Sequence, residues 1–195
     1  MNFNLIAQKS INFTQQFTFE YQANGNRKEF SVFADPKTAT WLLTRDETFG
    51  GQPEDIDFWI LRPDGGIIII GNDTSGKKQR ILLKNNAFSF GTSTLKAKSL
   101  GKNTTFGANK YGWQVLKATE YVVNSGRLTE NVYATQLPYS CRALLAYNSC
   151  VDVENHLPIF NNVEYYRVFT EKFLVLQDSK FRLVSVSPTE YSVDF

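Results

Sequence analysis

Residues 11–22 read INFTQQFTFEYQ, and this stretch decides the class of fold. The apolar residues Ile11, Phe13, Phe17, Phe19 and Tyr21 alternate with polar residues along it. Alternation with a period of two is typical of a strand that buries one face and solvates the other. Such half-buried strands belong to antiparallel sheets, because parallel sheets are covered on both faces. The stretch therefore predicts an antiparallel β-protein.

The chain around this stretch continues in strands. Asn-Gly at residues 24–25 predicts a tight turn into a return strand over residues 29–35. Pro63-Asp64-Gly65-Gly66 predicts a second hairpin turn. Residues 85–110 are rich in Asn, Ser, Thr, Gly and Lys, and we expect a long loop there with one weak strand or turn. Further strands are predicted over residues 38–44, 57–63, 66–73, 79–84, 112–124 (one or two), 127–136, and in four pieces within 162–195.

A single short helix is predicted, over residues 140–149, where apolar side chains can cover one face for about two turns. Ten to twelve strands without a β-α-β rhythm favour an all-β, mainly antiparallel chain. We expect one curled sheet or half-open barrel, formed by residues 1–195 as a single domain.

Composition and charge exclude several kinds of site. One His and two Cys cannot form a His-rich zinc site, a cysteine cluster or an iron–sulfur centre. We therefore expect no metal and no cofactor. The net charge of +2 gives no electrostatic argument for nucleic acid or for an anionic membrane. No run of 18 apolar residues occurs, so no membrane-spanning helix is expected.

The aromatic residues raise the question of a binding surface, since the chain has 16 Phe, 9 Tyr and 3 Trp. Trp41, Trp59 and Trp113 lie within or at the start of predicted strands, where they serve either as core or as the lining of a concave face. One short helix and one loop cover only part of a curled apolar sheet. This mismatch favours an apolar cavity or groove, and the three tryptophans are its candidate ligand-binding residues.

Cys141 and Cys150 are close enough in sequence for a disulfide that closes a short loop. Such a bridge would stabilise the fold by roughly 3 kcal/mol in the chain-entropy model. Two reduced, half-buried thiols are the alternative. A disulfide predicts an oxidising, exported environment.

Two constellations could carry catalysis. Glu54, Asp55 and Asp57 precede Trp59, and paired carboxylates beside an aromatic ring are what a glycosidase uses. A solvated acidic loop is the alternative interpretation. His156 is the only histidine and the one that a Ser-His-Asp triad would need, but without a Gly-x-Ser-x-Gly elbow it is interpreted as an ordinary exposed or hydrogen-bonding residue.

Polar turns explain the remaining motifs. GNDTSG at residues 71–76 has fewer carboxylates than a calcium loop needs, which favours a tight turn. The basic residues at 76–78, together with Lys96, Lys98 and Lys102, lack the spacing of a phosphate-binding loop and are interpreted as solvated positions.

Three segments resemble a family of uncharacterised exported proteins of Gram-negative bacteria. They are ADPKTATWLLT at residues 34–44, FWILRPDGGIIIIGNDTSGKK at 58–78 and GWQVLKATEYVVNSGRLTENVYATQLP at 112–138. The resemblance implies the half-open barrel of the periplasmic lipoprotein carriers, with a short helix at its opening and an apolar concave face that holds an acyl chain.

These observations lead to three functional hypotheses. The first is a non-enzymatic exported binding protein that holds a lipid-like or other apolar ligand. The second is a structural or interaction module that binds a protein partner or a glycan, and the third is a carboxylate-based hydrolase. The beginning of the sequence, MNFNLIAQKS, lacks a basic region followed by an apolar one, which fits either a cytoplasmic chain or a mature periplasmic or extracellular domain.

Overall fold

A computed structural model describes residues 10–23, 26–44, 55–84, 96–108, 110–124, 129–148 and 168–194. Within these ranges the predicted fold class is confirmed, because eleven antiparallel strands form a single open sheet and one short helix lies among them. The strands are β1 (Ser10–Ala23), β2 (Asn26–Asp35), β3 (Thr40–Thr44), β4 (Ile56–Leu61), β5 (Gly66–Asn72), β6 (Lys78–Lys84), β7 (Lys96–Phe106), β8 (Leu116–Asn124), β9 (Thr129–Gln136), β10 (Phe173–Gln177) and β11 (Phe181–Asp194). The helix α1 is Arg142–Asn148.

The sheet is a meander whose strand order is β6-β5-β4-β3-β2-β1-β11-β10-β9-β8-β7. Neighbours in the sheet are neighbours in sequence, except that β1 pairs with β11 and so brings the two ends of the meander together. The two edges of the sheet are β6 and β7, which follow one another in the chain.

The sheet curls strongly on the side that carries β7. In a flat sheet, β7 and β11 would lie about 19 Å apart, since four strand spacings separate them. Their backbones instead approach within 8 Å. The guanidinium of Arg182 lies 6.0 Å from the ring centre of Phe106, and Gln114 forms an isolated bridge with Val186. The two ends of this half of the sheet therefore nearly meet.

Two apolar clusters lie on opposite faces of β2 to β5. The helix-side cluster includes Trp41, Trp59 and α1, whereas the opposite cluster includes Phe33, Leu42 and Ile60. These strands are buried on both faces along much of their length, and their runs of apolar residues have no alternation for that reason.

A register shift moves part of β1 to the other face. Phe17 and Phe19 belong to the helix-side cluster, but Phe13 belongs to the opposite one. The pairing of β1 with β11 shifts between Phe13 and Gln15, where Pro188 stands in the partner strand. An irregular position of this kind is where a strand tolerates proline. The simple alternation of residues 11–22 suggested a single buried face, and the structure corrects this.

Two predicted segments differ from the structure. Residues 85–110, expected to form a long loop with one weak strand or turn, contain an eleven-residue strand, β7, which is exposed except at the half-buried Ala97 and the buried Phe106. A strand with no buried face has no reason to alternate, so its sequence looks like a loop. The two strands expected over residues 181–195 form one strand, β11, whose irregularity near Pro188 interrupts the pattern.

The hairpin turns follow their predicted chemistry. In the β4–β5 turn, Gly65 has a φ of 84°, a conformation that glycine adopts without strain. In the β5–β6 turn, Asp73 Oδ1 accepts hydrogen bonds from the Ser75 and Lys77 amides, each at 2.9 Å. Hydrogen bonds from the Ser75 hydroxyl, then the Gln79 side chain, and then the backbone amides lower the pKa of Asp73 to about 2.

Among the residues that the structure describes, no helix combines the length and apolar character needed to cross a membrane.

Candidate functional site

The helix-side cluster is the larger of the two apolar clusters in the described part of the chain, and it holds two of the three predicted binding residues. Trp41 on β3 and Trp59 on β4 lie on neighbouring strands, and each pairs with the residue two positions from the other, Trp41 with Leu61 and Trp59 with Leu43. Both are buried, and α1 packs on the same strands. The sequence-predicted pair is therefore brought together beneath the helix.

Trp41 has both aromatic neighbours and a hydrogen-bond acceptor for its indole N–H. Its ring centre lies 5.3 Å from that of Phe17 and 5.8 Å from that of Tyr139. Its indole Nε1–H donates to the carbonyl oxygen of Ser140 at 3.1 Å, just before α1 begins. Trp41 thus connects the sheet to the start of the helical segment.

Trp59 differs from Trp41 in one respect. Its side chain is only 4% exposed, and its ring meets Tyr147 of α1 edge-on at 5.3 Å with an interplanar angle of 82°. Its indole Nε1–H has no hydrogen-bond acceptor within the described part of the chain. A buried donor without an acceptor costs about 1–3 kcal/mol, so this N–H is an exception that needs a reason.

Trp113, the third predicted residue, lies outside this pair, on the connection between β7 and β8. It is half-buried, and Lys110 Nζ lies 4.6 Å from its ring centre. The Gln114 amide attaches this connection to β11, because it donates to the Val186 carbonyl at 2.8 Å. Trp113 therefore packs within the connection, away from Trp41 and Trp59, and the three tryptophans do not form an exposed row.

The segment that leads into α1 covers the helix-side cluster. The Tyr139 hydroxyl donates to the side chain of Gln15, and the Cys141 amide donates to the carbonyl of Glu171 at 2.7 Å. Burial raises the pKa of the Tyr139 hydroxyl, and the nearby Cys141 raises it further. This segment is therefore tied to β1 and to the approach to β10 before the helix starts.

Cys141 is a buried free thiol in this structure. Burial raises its pKa, so it remains protonated and chemically quiet at neutral pH. Its predicted disulfide partner Cys150 lies outside the described residues, and so does His156. Because Cys141 is a free thiol, the structure does not support the predicted disulfide.

The carboxylates considered for hydrolysis are only partly described. Glu54 lies outside the described residues, Asp55 is exposed and Asp57 is half-buried. The backbone of Asp55 has a structural role, because its carbonyl accepts the Asn72 amide at 2.7 Å. Over the ranges that the structure covers, no three His, Cys, Asp or Glu side chains are grouped as metal ligands would be.

A polar groove that the sequence did not suggest lies at the β10–β11 turn. It has a volume of about 160 Å³ and is lined by residues 20–22 and 177–182. Burial raises the pKa of Asp178 in this groove to about 6, and Glu130 adds to the rise. Asp178 Oδ1 still accepts the amides of Lys180 and Phe181, at 2.7 and 3.1 Å, so the carboxylate shapes the turn.

Comparisons with protein-family models, with curated proteins and with solved structures find no match to this chain.

Proposed function

We propose that the protein is a non-enzymatic, exported binding protein that holds an apolar or lipid-like ligand between α1 and the helix-side face of the open sheet. The observation that carries this proposal is the buried indole N–H of Trp59, which has no acceptor among the described residues and lies where the helix meets the sheet. Such a donor would be satisfied by a ligand oxygen.

The apolar surface supports a hydrocarbon ligand. The helix-side cluster contains aromatic and aliphatic residues from the centre of the sheet and from α1. Each methylene group that a ligand buries there would contribute roughly 0.8 kcal/mol. A chain of ordinary fatty-acid length therefore supplies enough apolar surface to offset the cost of association.

The helix is suited to act as a cover. α1 has seven residues, and a helix this short is stable only through its tertiary contacts. The segment before it is anchored by the Trp41 and Cys141 hydrogen bonds, which do not involve the body of the helix. A ligand could therefore replace Tyr147 against Trp59 while the anchor at Ser140 is kept.

The indole N–H of Trp59, which has no acceptor among the described residues, also indicates the kind of ligand. A molecule that joins an apolar chain to an acceptor oxygen, such as a fatty acid or a glycerolipid ester, would place that oxygen against Trp59 Nε1. A pure hydrocarbon would leave the N–H unsatisfied and bind less tightly.

Native mass spectrometry of the purified protein, followed by organic extraction, tests the proposal. We expect a bound mass that extracts as lipid, or a complex with added palmitate. Trp59→Phe should weaken palmitate binding about tenfold, the effect of one hydrogen bond, while Trp113→Phe should leave it unchanged.

A protein without bound lipid that also gains no mass with fatty acids or phospholipids would contradict the proposal. The helix-side cluster would then be a core only, and an interaction module would be the better hypothesis.

A further inference from the structure

The modest net charge of this chain conceals a strong separation of charge along the sequence. Residues 74–119 contain nine of the 21 basic residues and none of the 19 acidic ones. The rest of the chain is consequently acidic. The basic residues of this stretch are Lys77, Lys78, Arg80, Lys84, Lys96, Lys98, Lys102, Lys110 and Lys117. The net charge of +2 therefore averages a basic stretch and an acidic remainder.

The fold places this stretch at the two edges of the sheet. It includes β6, β7 and the connection from β7 to β8. The structure describes the exposure of all these basic side chains except that of Lys84, and each of those described is exposed. We call this exposed set the basic surface. Lys102 lies 3.8 Å from Glu120 but keeps 75% of its side chain in solvent.

Exposed apolar side chains lie among these charges. In the part of the chain that the structure describes, the large hydrophobic residues that are exposed all fall within the same stretch. They are Ile81, Leu82, Leu100, Tyr111 and Val115. Scattered exposed apolar residues need no explanation, but their confinement to the one stretch without acidic residues does.

The register of β6 shows how its apolar residues are presented. Ile81 pairs with Ile69 and Leu82 pairs with Ile68, so the two residues extend opposite faces of the sheet to its edge. They are 52% and 43% exposed. An edge strand of this kind presents side chains of both faces, together with backbone groups that need polar partners, to whatever it approaches edge-on.

We propose that the basic surface and its apolar residues dock the protein on an anionic lipid surface. Lysines would attract acidic headgroups, and Ile81 and Leu82 would enter the boundary between headgroups and acyl chains. The proposal stands apart from the ligand proposal, because it uses edge residues and needs no bound ligand.

The composition of the basic surface favours lipid over nucleic acid. Eight of the nine basic residues in the stretch are lysines, and the exposed apolar residues are mostly aliphatic. Nucleic-acid surfaces that bind single strands use aromatic stacking platforms, and those that read bases use arginine extensively.

Vesicle cosedimentation of the full chain tests the proposal at low ionic strength. We expect binding to phosphatidylcholine vesicles that contain about one third phosphatidylglycerol, little binding to pure phosphatidylcholine, and release at high salt. Each lysine near an anionic surface contributes about a fivefold change in partition, so replacing Lys96, Lys98 and Lys102 together by Gln should weaken binding about a hundredfold.

A matched control replaces Lys28, Lys37 and Lys172, three exposed lysines outside the stretch, by Gln and should keep wild-type binding. Leu82→Gln should weaken binding that remains at intermediate salt. Circular dichroism would verify that each variant is folded.

Three outcomes would overturn the proposal. One is equal loss of binding in the control and test triples. Another is binding to a duplex oligonucleotide without binding to anionic vesicles, which would assign the basic surface to nucleic acid. The third is a wild type that does not bind vesicles, together with aggregation of the variant that lacks Lys96, Lys98 and Lys102. The lysines would then only protect the sheet edges from self-association.

Discussion

Trp41 and Trp59 allow one hydrogen bond to be measured against a nearly identical background. Both are buried tryptophans on neighbouring strands of the same face. Replacement by phenylalanine removes the same atoms at each site, so the losses of packing largely cancel when the two variants are compared. The hydrogen bonds do not cancel, because Trp41 donates one to the Ser140 carbonyl at 3.1 Å, whereas Trp59 has no acceptor among the described residues.

The expected difference follows from those hydrogen bonds. Trp41→Phe loses a satisfied bond and leaves the Ser140 carbonyl without that donor, at a cost of about 1–3 kcal/mol beyond packing. Trp59→Phe removes a buried donor that has no described acceptor. The free energy regained by removing this donor offsets part of the stability that the variant loses through poorer packing. Trp41→Phe should therefore be less stable than Trp59→Phe by about 2 kcal/mol.

Urea unfolding followed by far-ultraviolet circular dichroism measures this difference without relying on tryptophan fluorescence. With a slope of about 2 kcal/mol per molar urea, the two midpoints should differ by about 1 M. Trp113→Phe replaces a half-buried indole beneath Lys110 by a smaller ring. Its free energy of unfolding should fall by no more than about 1 kcal/mol beyond the packing loss. Equal midpoints for Trp41→Phe and Trp59→Phe would refute the assignment of Trp59 Nε1 as an unsatisfied donor.

Three other perturbations test separate features of the fold. Because the pKa of Asp178 is raised to about 6, the wild type should lose stability as pH rises from about 4 to 6, and Asp178→Asn should flatten this trend in urea midpoints measured across that window. The pKa of Asp73 is lowered to about 2, so its stabilisation should be present above pH 4 and disappear as pH falls toward 2; acid titration should show a shallower decline in Asp73→Asn. A Cβ at Gly71 would overlap the Asp55 carbonyl, whereas one at Gly76 would meet open space at a φ of 77°. Gly71→Ala should therefore lower the thermal midpoint far more than Gly76→Ala, whose cost is about 1–2 kcal/mol, and equal shifts would contradict the close approach at Gly71.

Turn chemistry and apolar runs predicted most of the strands on the β1–β6 side of the sheet. Pro63-Asp64-Gly65-Gly66 forms its turn because the required conformations depend only on those residues. The edge strand β7 could not be predicted in the same way, because its side chains face solvent on both sides and no burial imposes a pattern on them.

The candidate site was predictable only in part. The sequence identified Trp41 and Trp59 as members of an apolar face, but it did not show that Tyr147 of α1 meets Trp59 edge-on or that the Trp59 indole N–H has no acceptor among the described residues. The raised pKa of Asp178 likewise depends on the packing of the β10–β11 turn against β1 and on Glu130, and nothing in the local sequence signals it.

By itself, the sequence determined the all-β class, the short helix near residues 140–149, the glycine turn at residues 63–66 and the basic stretch at residues 74–119. These features depend on residue type and on neighbours a few positions away. Only the tertiary structure decided that Phe13 faces away from Phe17, that β7 curls back to β11, and that the Tyr139 hydroxyl bonds Gln15 across 124 residues of chain. Strand register and burial are set by such distant partners, and no local pattern specifies which partners will meet.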